Sequence, residues 1–302
     1  MWQNFQMRHV LPPVIPAFRD AVSTDPIQEI ALRVVVELPN WEFHTIGTAV
    51  FIAGNLAVTA RHVLEAVTQN FGVGKTRGSQ IEEYSLTLYQ VIPEPLQYRV
   101  WSVTEAWGCS TDIALLHVQL DRTSTEESNE WKVPRLRLFP PPSGQVVFAF
   151  GYREGRIEVN EGADGTHHIN VSDRGTTSVG TVGEIFHELR DASMLSFPCF
   201  EVNARFAPGM SGGLVLDEAG SLCGLVCAGM QFDDPLQCPL SYAATLWPML
   251  TTLISIDRGA RYPRGIEYPV IDLLLAGFIH ATGVEDLDPT KFPGRSLLAR
   301  RK

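Results

Sequence analysis

The segment Ala207-Pro208-Gly209-Met210-Ser211-Gly212-Gly213 sets a serine among glycines. A serine hydroxyl is a weak nucleophile until a base takes its proton and donors hold the oxyanion its attack creates. Glycines on both sides of Ser211 permit a tight turn in which main-chain N–H groups converge, and the amides of Gly209 and Ser211 are then the natural oxyanion donors. A base and an orienting carboxylate stand upstream. Thr59-Ala60-Arg61-His62-Val63-Leu64 puts a histidine at the end of an apolar strand, and Ser110-Thr111-Asp112-Ile113-Ala114-Leu115-Leu116 puts an aspartate at the start of another. Each alone has a plainer reading: a glycine-rich hairpin turn, a structural histidine, a turn aspartate. The order His62, Asp112, Ser211, each in this context, is what gives them weight together.

Those three segments resemble the trypsin-like (chymotrypsin-fold) serine peptidases, especially their bacterial and intracellular branch. The family pattern T-A-x-H falls on Thr59 to His62, D-I-A-L on Asp112 to Leu115, and P-G-x-S-G-G on Pro208 to Gly213. The likeness spans roughly residues 30–256. It implies an all-β chain of two antiparallel six-stranded β-barrels, with His62 and Asp112 from the first, Ser211 from the second, and the site between them. It also implies that Ser211 attacks a peptide carbonyl, His62 moves the proton and Asp112 orients the imidazole, in two rounds of acyl transfer on a protein or peptide substrate without metal or cofactor. Two rivals are open. Gly-Met-Ser-Gly-Gly also fits the nucleophile elbow of α/β-hydrolases, with Asp257 and His280 as partners, but that elbow must lead into a helix. The other is a catalytically silent protease fold kept as a peptide-binding or scaffold module.

The sequence departs from the family in two places. Secreted members are activated by a cut whose new N-terminus pairs with an aspartate before the serine; here that residue is Met210, and no activation sequence precedes Ala31, so cleavage activation is not expected. By the same resemblance Arg205 stands at the floor of the specificity pocket, where it would favour an acidic side chain, Cys227, Ala228 and Gly229 form one wall, and Leu240 the other, where it would favour small residues. The two readings conflict, and the expectation is only that cleavage is not trypsin-like.

The elements that must position these residues read as short strands: 31–38, 48–54, 56–64, 85–92, 98–103 and 113–120 in a first half, and 146–152, 156–160, 167–171, 176–186, 199–204, 212–217, 221–229 and 239–246 in a second, with a tight turn at Glu218-Ala219-Gly220. No strand–helix alternation points to a parallel sheet. Two C-terminal helices are expected, over about 244–256 and 269–282, the second with an apolar stripe of Val270, Ile271, Leu274, Leu275, Phe278 and Ile279. The stripe would pack on the barrels or dock a partner. The division expected is an extended, proline-rich arm (1–29), a first barrel (30–120), a connector (121–144), a second barrel with a terminal helix (145–256) and a helical extension (257–302). The arm or the last helix is where a regulatory protein partner would act.

Apolar residues make up 45% of the 302, enough for a real core. The net charge of −10 argues against a nucleic-acid or anionic-membrane binder. The N-terminus has no basic start before a long apolar run, and the most apolar stretch, Tyr268 to Gly283, is broken by Asp272 and His280. Five cysteines, an odd number, fit reduced thiols and a cytoplasmic location better than a secreted disulfide framework. Cys223 and Cys227 read as buried thiols and not zinc ligands. Asn70 to Thr76 is half a phosphate loop lacking its first glycine, and Asn170-Val171-Ser172 is a glycosylation acceptor only in a secreted chain.

Overall fold

Strand β1 (Ala17–Asp20) comes first among the described residues, and a 3₁₀ turn (Pro26–Glu29) leads into β2 (Ala31–Leu38), β3 (Glu42–Ala53) and β4 (Leu56–Thr59). Helix α1 (Arg61–Phe71) and a minimal hairpin, β5 (Thr76–Arg77) with β6 (Gln80–Ile81), come next. Strands β7 (Ser85–Ile92), β8 (Gln97–Gly108) and β9 (Ala114–Thr123) finish the first half. The second half holds β10 (Leu136–Arg137), β11 (Val146–Glu161), β12 (His167–Phe186), β13 (Cys199–Val202), β14 (Leu214–Asp217), β15 (Leu222–Met230) and β16 (Leu240–Ala244). A 3₁₀ turn (Trp247–Thr251), β17 (Leu253–Ile254), β18 (Tyr268–Pro269), α2 (Ile271–Leu275), β19 (Ala281–Thr282) and a last 3₁₀ turn (Val284–Asp286) close it. This computed structural model describes residues 17–21, 26–39, 42–72, 76–77, 80–81, 85–92, 97–123, 132–161, 167–230, 239–257 and 265–287. Cys238, most of the arm, part of the connector and the basic tail lie outside the described residues.

The first six long strands close into an antiparallel barrel in the order β2-β3-β4-β9-β8-β7. Its strands are dominated by β-branched and aromatic residues, and alternate side chains fill the interior. Leu32, Val34, Phe51, Trp101, Leu116 and Val118 form that core. Phe51 meets Trp101 edge to face, with centroids 5.4 Å apart, and the indole N–H reaches Gln90 at 3.2 Å. The second barrel runs β14-β11-β12-β13-β16-β15 and closes through β14–β15. Two closed six-stranded barrels are the fold the sequence implied. A single apolar cluster runs across both, from Ala31, Val50 and Val58 to Phe150, Tyr152 and Leu214. The seam between the barrels is therefore packed interior, and groups carried on either side of it are held rigidly to each other.

Several elements differ from the sequence reading. The strand expected over 56–64 stops at Thr59 and α1 takes over, with Val63 and Val67 buried one turn apart. Helix α1 ends where Gly72, at φ +81°, returns its N–H to Thr68 O at 3.0 Å, so the glycine-rich stretch follows a helix instead of leading into one. Residues 146–160 and 167–186 form two long strands of one hairpin, irregular between Arg153 and Arg156. The helix expected over 244–256 is a 3₁₀ turn at Trp247-Pro248, followed by a return to extended backbone at Thr252. The helix expected over 269–282 lasts only five residues, because Gly277 turns the chain at φ +80°. Val270, Ile271, Leu274 and Ile279 of the stripe pack on the core, while Leu275 and Phe278 face outward. Cys109, Cys199, Cys223 and Cys227 are buried free thiols. No helix among the described residues is long and apolar enough to cross a membrane.

Candidate active site

His62 lies in the first turn of α1, where backbone amides have no intrahelical acceptor. Ala60 is the N-cap and offers no side-chain oxygen. The acceptor comes instead from the loop before β9: Asp112 Oδ1 takes the His62 N–H at 3.0 Å. The same carboxylate grips the imidazole, with Nδ1 2.8 Å from Oδ2 and 3.0 Å from Oδ1. One aspartate thus caps the helix, complements its positive end and fixes the ring. Arg61 Nη1 donates to Cys109 O at 3.1 Å and Cys109 N to Ile113 O at 2.8 Å, closing the loop that carries Asp112. Burial opposes a charged ring at His62, but the Asp112 hydrogen bond and charge, with Glu65 farther off, outweigh it, and the imidazole pKa sits above its ordinary value.

The Ser211 turn is tied to the first barrel through its main chain. Its carbonyl accepts the Thr48 N–H at 2.8 Å. The Thr48 hydroxyl accepts from Tyr152 N at 2.9 Å and donates to Gly209 O at 3.4 Å, and Thr59 donates to Thr48 O at 2.6 Å. Thr48, fully buried in β3 of the first barrel, therefore holds the Ser211 turn of the second barrel at two points. A Cβ on Gly47 would lie 2.9 Å from Val63 of α1 and 3.0 Å from Ser211 O, so this point of β3 lies against both the Ser211 turn and the helix of His62. Gly212 adopts φ +77°, and a Cβ there would overlap the Thr48 carbonyl and the Thr59 hydroxyl; only glycine fits. Within the turn, Met210 N donates to Ala207 O, Gly212 N to Val226 O and Gly213 N to Met210 O. Among the described residues the amides of Gly209 and Ser211 donate to no protein acceptor, which leaves the expected oxyanion pair available. Ser211 runs on into β14, not a helix, so the α/β-hydrolase elbow with Asp257 and His280 is excluded.

Thr48 is the positioning residue that sequence reading missed. Its only signal was a polar side chain at the entrance to the apolar run of β3. Thr48→Val keeps the shape and removes the hydroxyl, leaving Tyr152 N and Gly209 O without their partner. The expected result is a stability loss of about 1–3 kcal/mol and a fall in kcat of about 10–100-fold with little change in KM. Thr48→Ser restores both, as steady-state kinetics and thermal melting would report.

A cavity of about 480 Å³ opens beside His62 and Asp112, with Cys227 and Ala228 on one side and Leu195 and Phe197 on another. The last two belong to a loop shaped by Asp191, which accepts from Ser193 N at 2.9 Å and Met194 N at 2.6 Å. The Cys227 thiol, donating to Tyr242 O at 3.1 Å, is pushed well up by burial and by the nearby Asp112 charge, so it is an inert wall. Of the other residues expected at the specificity pocket, Arg205, Gly229 and Leu240 are not in this cavity. Arg205 is exposed, with its guanidinium 4.8 Å from the centre of the Phe18 ring, where the charge stays solvated and over a π face. Gly229 backs directly onto the Phe206 carbonyl. Leu240 is half-buried at the start of β16, opposite Met230.

The sequence profile of the Trypsin-like peptidase domain matches residues 47–225, more than half of the chain and the whole span from Thr48 to Ser211. The chain belongs to this family. It is a serine peptidase of the trypsin-like kind, and the matched span holds all three motif segments. Among solved structures, similar chains include the active form of the Rv3671c protease from M. tuberculosis (17% identity, 82% of this chain and 91% of that one, TM-score 0.43). Deg5 is another (16% identity, 74% and 86%, TM-score 0.44). The HtrA-type protease AlgW with a tripeptide matches at 15% identity over 74% of this chain and 58% of its own, TM-score 0.43. No curated protein matches the sequence of this trypsin-like peptidase.

Proposed function

We propose that the protein is a serine endopeptidase that cleaves peptide bonds through a Ser211–His62–Asp112 triad and an acyl-enzyme. The observation that carries this reading is the hydrogen bonding of His62 Nδ1 to Asp112 on a helix that lies, like the Ser211 turn, against Gly47 of β3. With Asp112 ionised, the imidazole proton sits on Nδ1, and Nε2 is left as the base. Nε2 takes the Ser211 Oγ proton as Oγ bonds to the substrate carbonyl carbon. The carbonyl oxygen becomes an oxyanion and accepts from the amides of Gly209 and Ser211. The C–N bond then breaks, and His62 returns the proton to the leaving amine. Water repeats the sequence on the ester: His62 takes its proton, hydroxide adds, and Ser211 Oγ leaves with that proton. Every bond made or broken involves the substrate, water and these side chains, so the cycle closes without a cofactor.

The same reading makes the substrate a protein or peptide lying along the cavity beside Cys227 and Ala228. It puts the protein in a reducing, cytoplasmic compartment, in keeping with the four buried free thiols among the described residues. A fluorophosphonate probe tests the assignment. Phosphonylation of the folded chain at Ser211, lost on denaturation and in His62→Ala, is expected. Folded protein that takes up no probe would instead be the scaffold module.

A further inference from the structure

Strand β1 does not belong to either barrel ring; it is added to the outer edge of β12, with Phe18 opposite Ser178 and Asp20 opposite Thr176. The Ala21 N–H anchors its end on Gly175 O at 2.6 Å. We propose that β1 is a positioning element for the oxyanion turn, with Phe18 and Asp20 fixing Arg153 behind Gly209. This rests on the reading of Gly209 as an oxyanion donor.

The contacts run in one direct chain. Asp20 Oδ1 accepts from Arg153 Nη2 at 2.8 Å, and Arg153 Nε donates to the buried Thr176 hydroxyl at 2.8 Å. Arg174 stands farther off, 3.8 Å from Asp20 Oδ2. The Phe18 ring lies between two guanidinium groups, 5.3 Å from that of Arg153 and 4.8 Å from that of Arg205. Arg153 is on β11 and Arg205 is on the segment that enters the Ser211 turn, so one aromatic ring links β11 to the entry of that turn. The same ring packs on the cluster that contains Phe206 and Met210. On the other side of Arg153, the main chain touches the turn. A Cβ on Gly209, which sits at φ +90°, would lie 2.9 Å from Tyr152 O and 3.2 Å from Arg153 Cα. The backbone at 152–153 therefore lies directly against Gly209, and the direction of the Gly209 N–H decides how well an oxyanion is held. Asp20 is half exposed, and an ion pair there adds little to global stability. Its removal should therefore act on the turn and not on the fold.

The test uses the full chain and a peptide amide substrate. In Phe18→Ala/Asp20→Asn, kcat is expected to fall by about tenfold or more at nearly constant KM. The affinity for a peptide aldehyde, which forms the oxyanion, should fall in parallel. Asp20→Glu keeps the carboxylate and should hold wild-type kcat. If the double variant fails to fold, Asp20→Asn alone, at an exposed position, gives the same reading with a smaller loss. A kcat and aldehyde affinity within about twofold of wild type in the folded variants would overturn the proposal. So would a loss confined to KM or explained by a lower folded fraction. An inactive parent chain that also refuses a fluorophosphonate would overturn the peptidase reading itself and this proposal with it, an outcome distinct from an active parent with active variants.

Discussion

Replacing His62 by alanine should cut kcat for peptide hydrolysis by about 10⁴–10⁶-fold, while leaving the fold and substrate affinity nearly unchanged. His62 holds Nδ1 on Asp112, and on the proposed reading its Nε2 is the base for Ser211. Without it the Ser211 proton has no acceptor, and the oxyanion donors alone supply only the residual part of the acceleration. His280→Ala is the control. His280 is exposed between α2 and β19, and its recorded contact is a main-chain one, its carbonyl accepting the Leu136 N–H at 2.8 Å. Its removal should leave kcat/KM within about twofold. Large losses from His280 with retention in His62 would reverse the assignment.

Asp112→Asn is expected to cost about 10⁴-fold in kcat, through the wrong tautomer and an unsupported imidazolium. Its second signature is in the pH profile. The base must be neutral to work, and in the folded protein the His62 pKa is raised, so the acid limb of kcat/KM should lie above the ordinary imidazole value of about 6.5. Burial alone would push that limb down; the Asp112 hydrogen bond and charge push it up. Removing them should shift the limb to lower pH. The sign for stability is the opposite of that for activity. The folded state holds the His62 proton more tightly than the unfolded chain, so this pair stabilises the fold fully below the unfolded pKa and loses that contribution as pH rises through the folded one. A wild-type limb at or below the ordinary value, unmoved by Asp112→Asn, would show that the two residues are not coupled.

The barrels and the three motif segments of the family were legible because they rest on short-range pattern. Ala31–Leu38 and Ser85–Ile92 are apolar, β-branched runs whose bounds survive unchanged in the structure. The Asp217 to Ser221 turn was legible for the same reason, since Gly220 takes φ +76° and Asp217 accepts from Ala219 N and Ser221 N. Helix α1 was missed because LAVTARHVL is apolar enough to pass for one strand. Its start is set by a cap from Asp112, 50 residues away, which no local window contains. The pairing of β1 with β12 joins residues more than 150 apart, and nothing in AFRD announces its partner. Counting back from Ser211 gives Arg205 a position but no side-chain direction, and in the structure its guanidinium lies 4.8 Å from the Phe18 ring centre. Thr48 had no motif of its own. Its importance comes from lying where the two barrels touch, and that follows from tertiary packing alone.

The central claim, a covalent intermediate on Ser211, is most directly tested by trapping it. A slowly hydrolysed peptide ester is mixed with the protein above the His62 pKa, where a neutral base drives acylation, and the mixture is then quenched into acid, where the protonated His62 stalls deacylation. Intact mass spectrometry should then show one acyl group per chain, and peptide mapping should find it on Ser211, with none formed in Ser211→Ala. Acylation at another residue, or full hydrolysis by Ser211→Ala, would contradict the account.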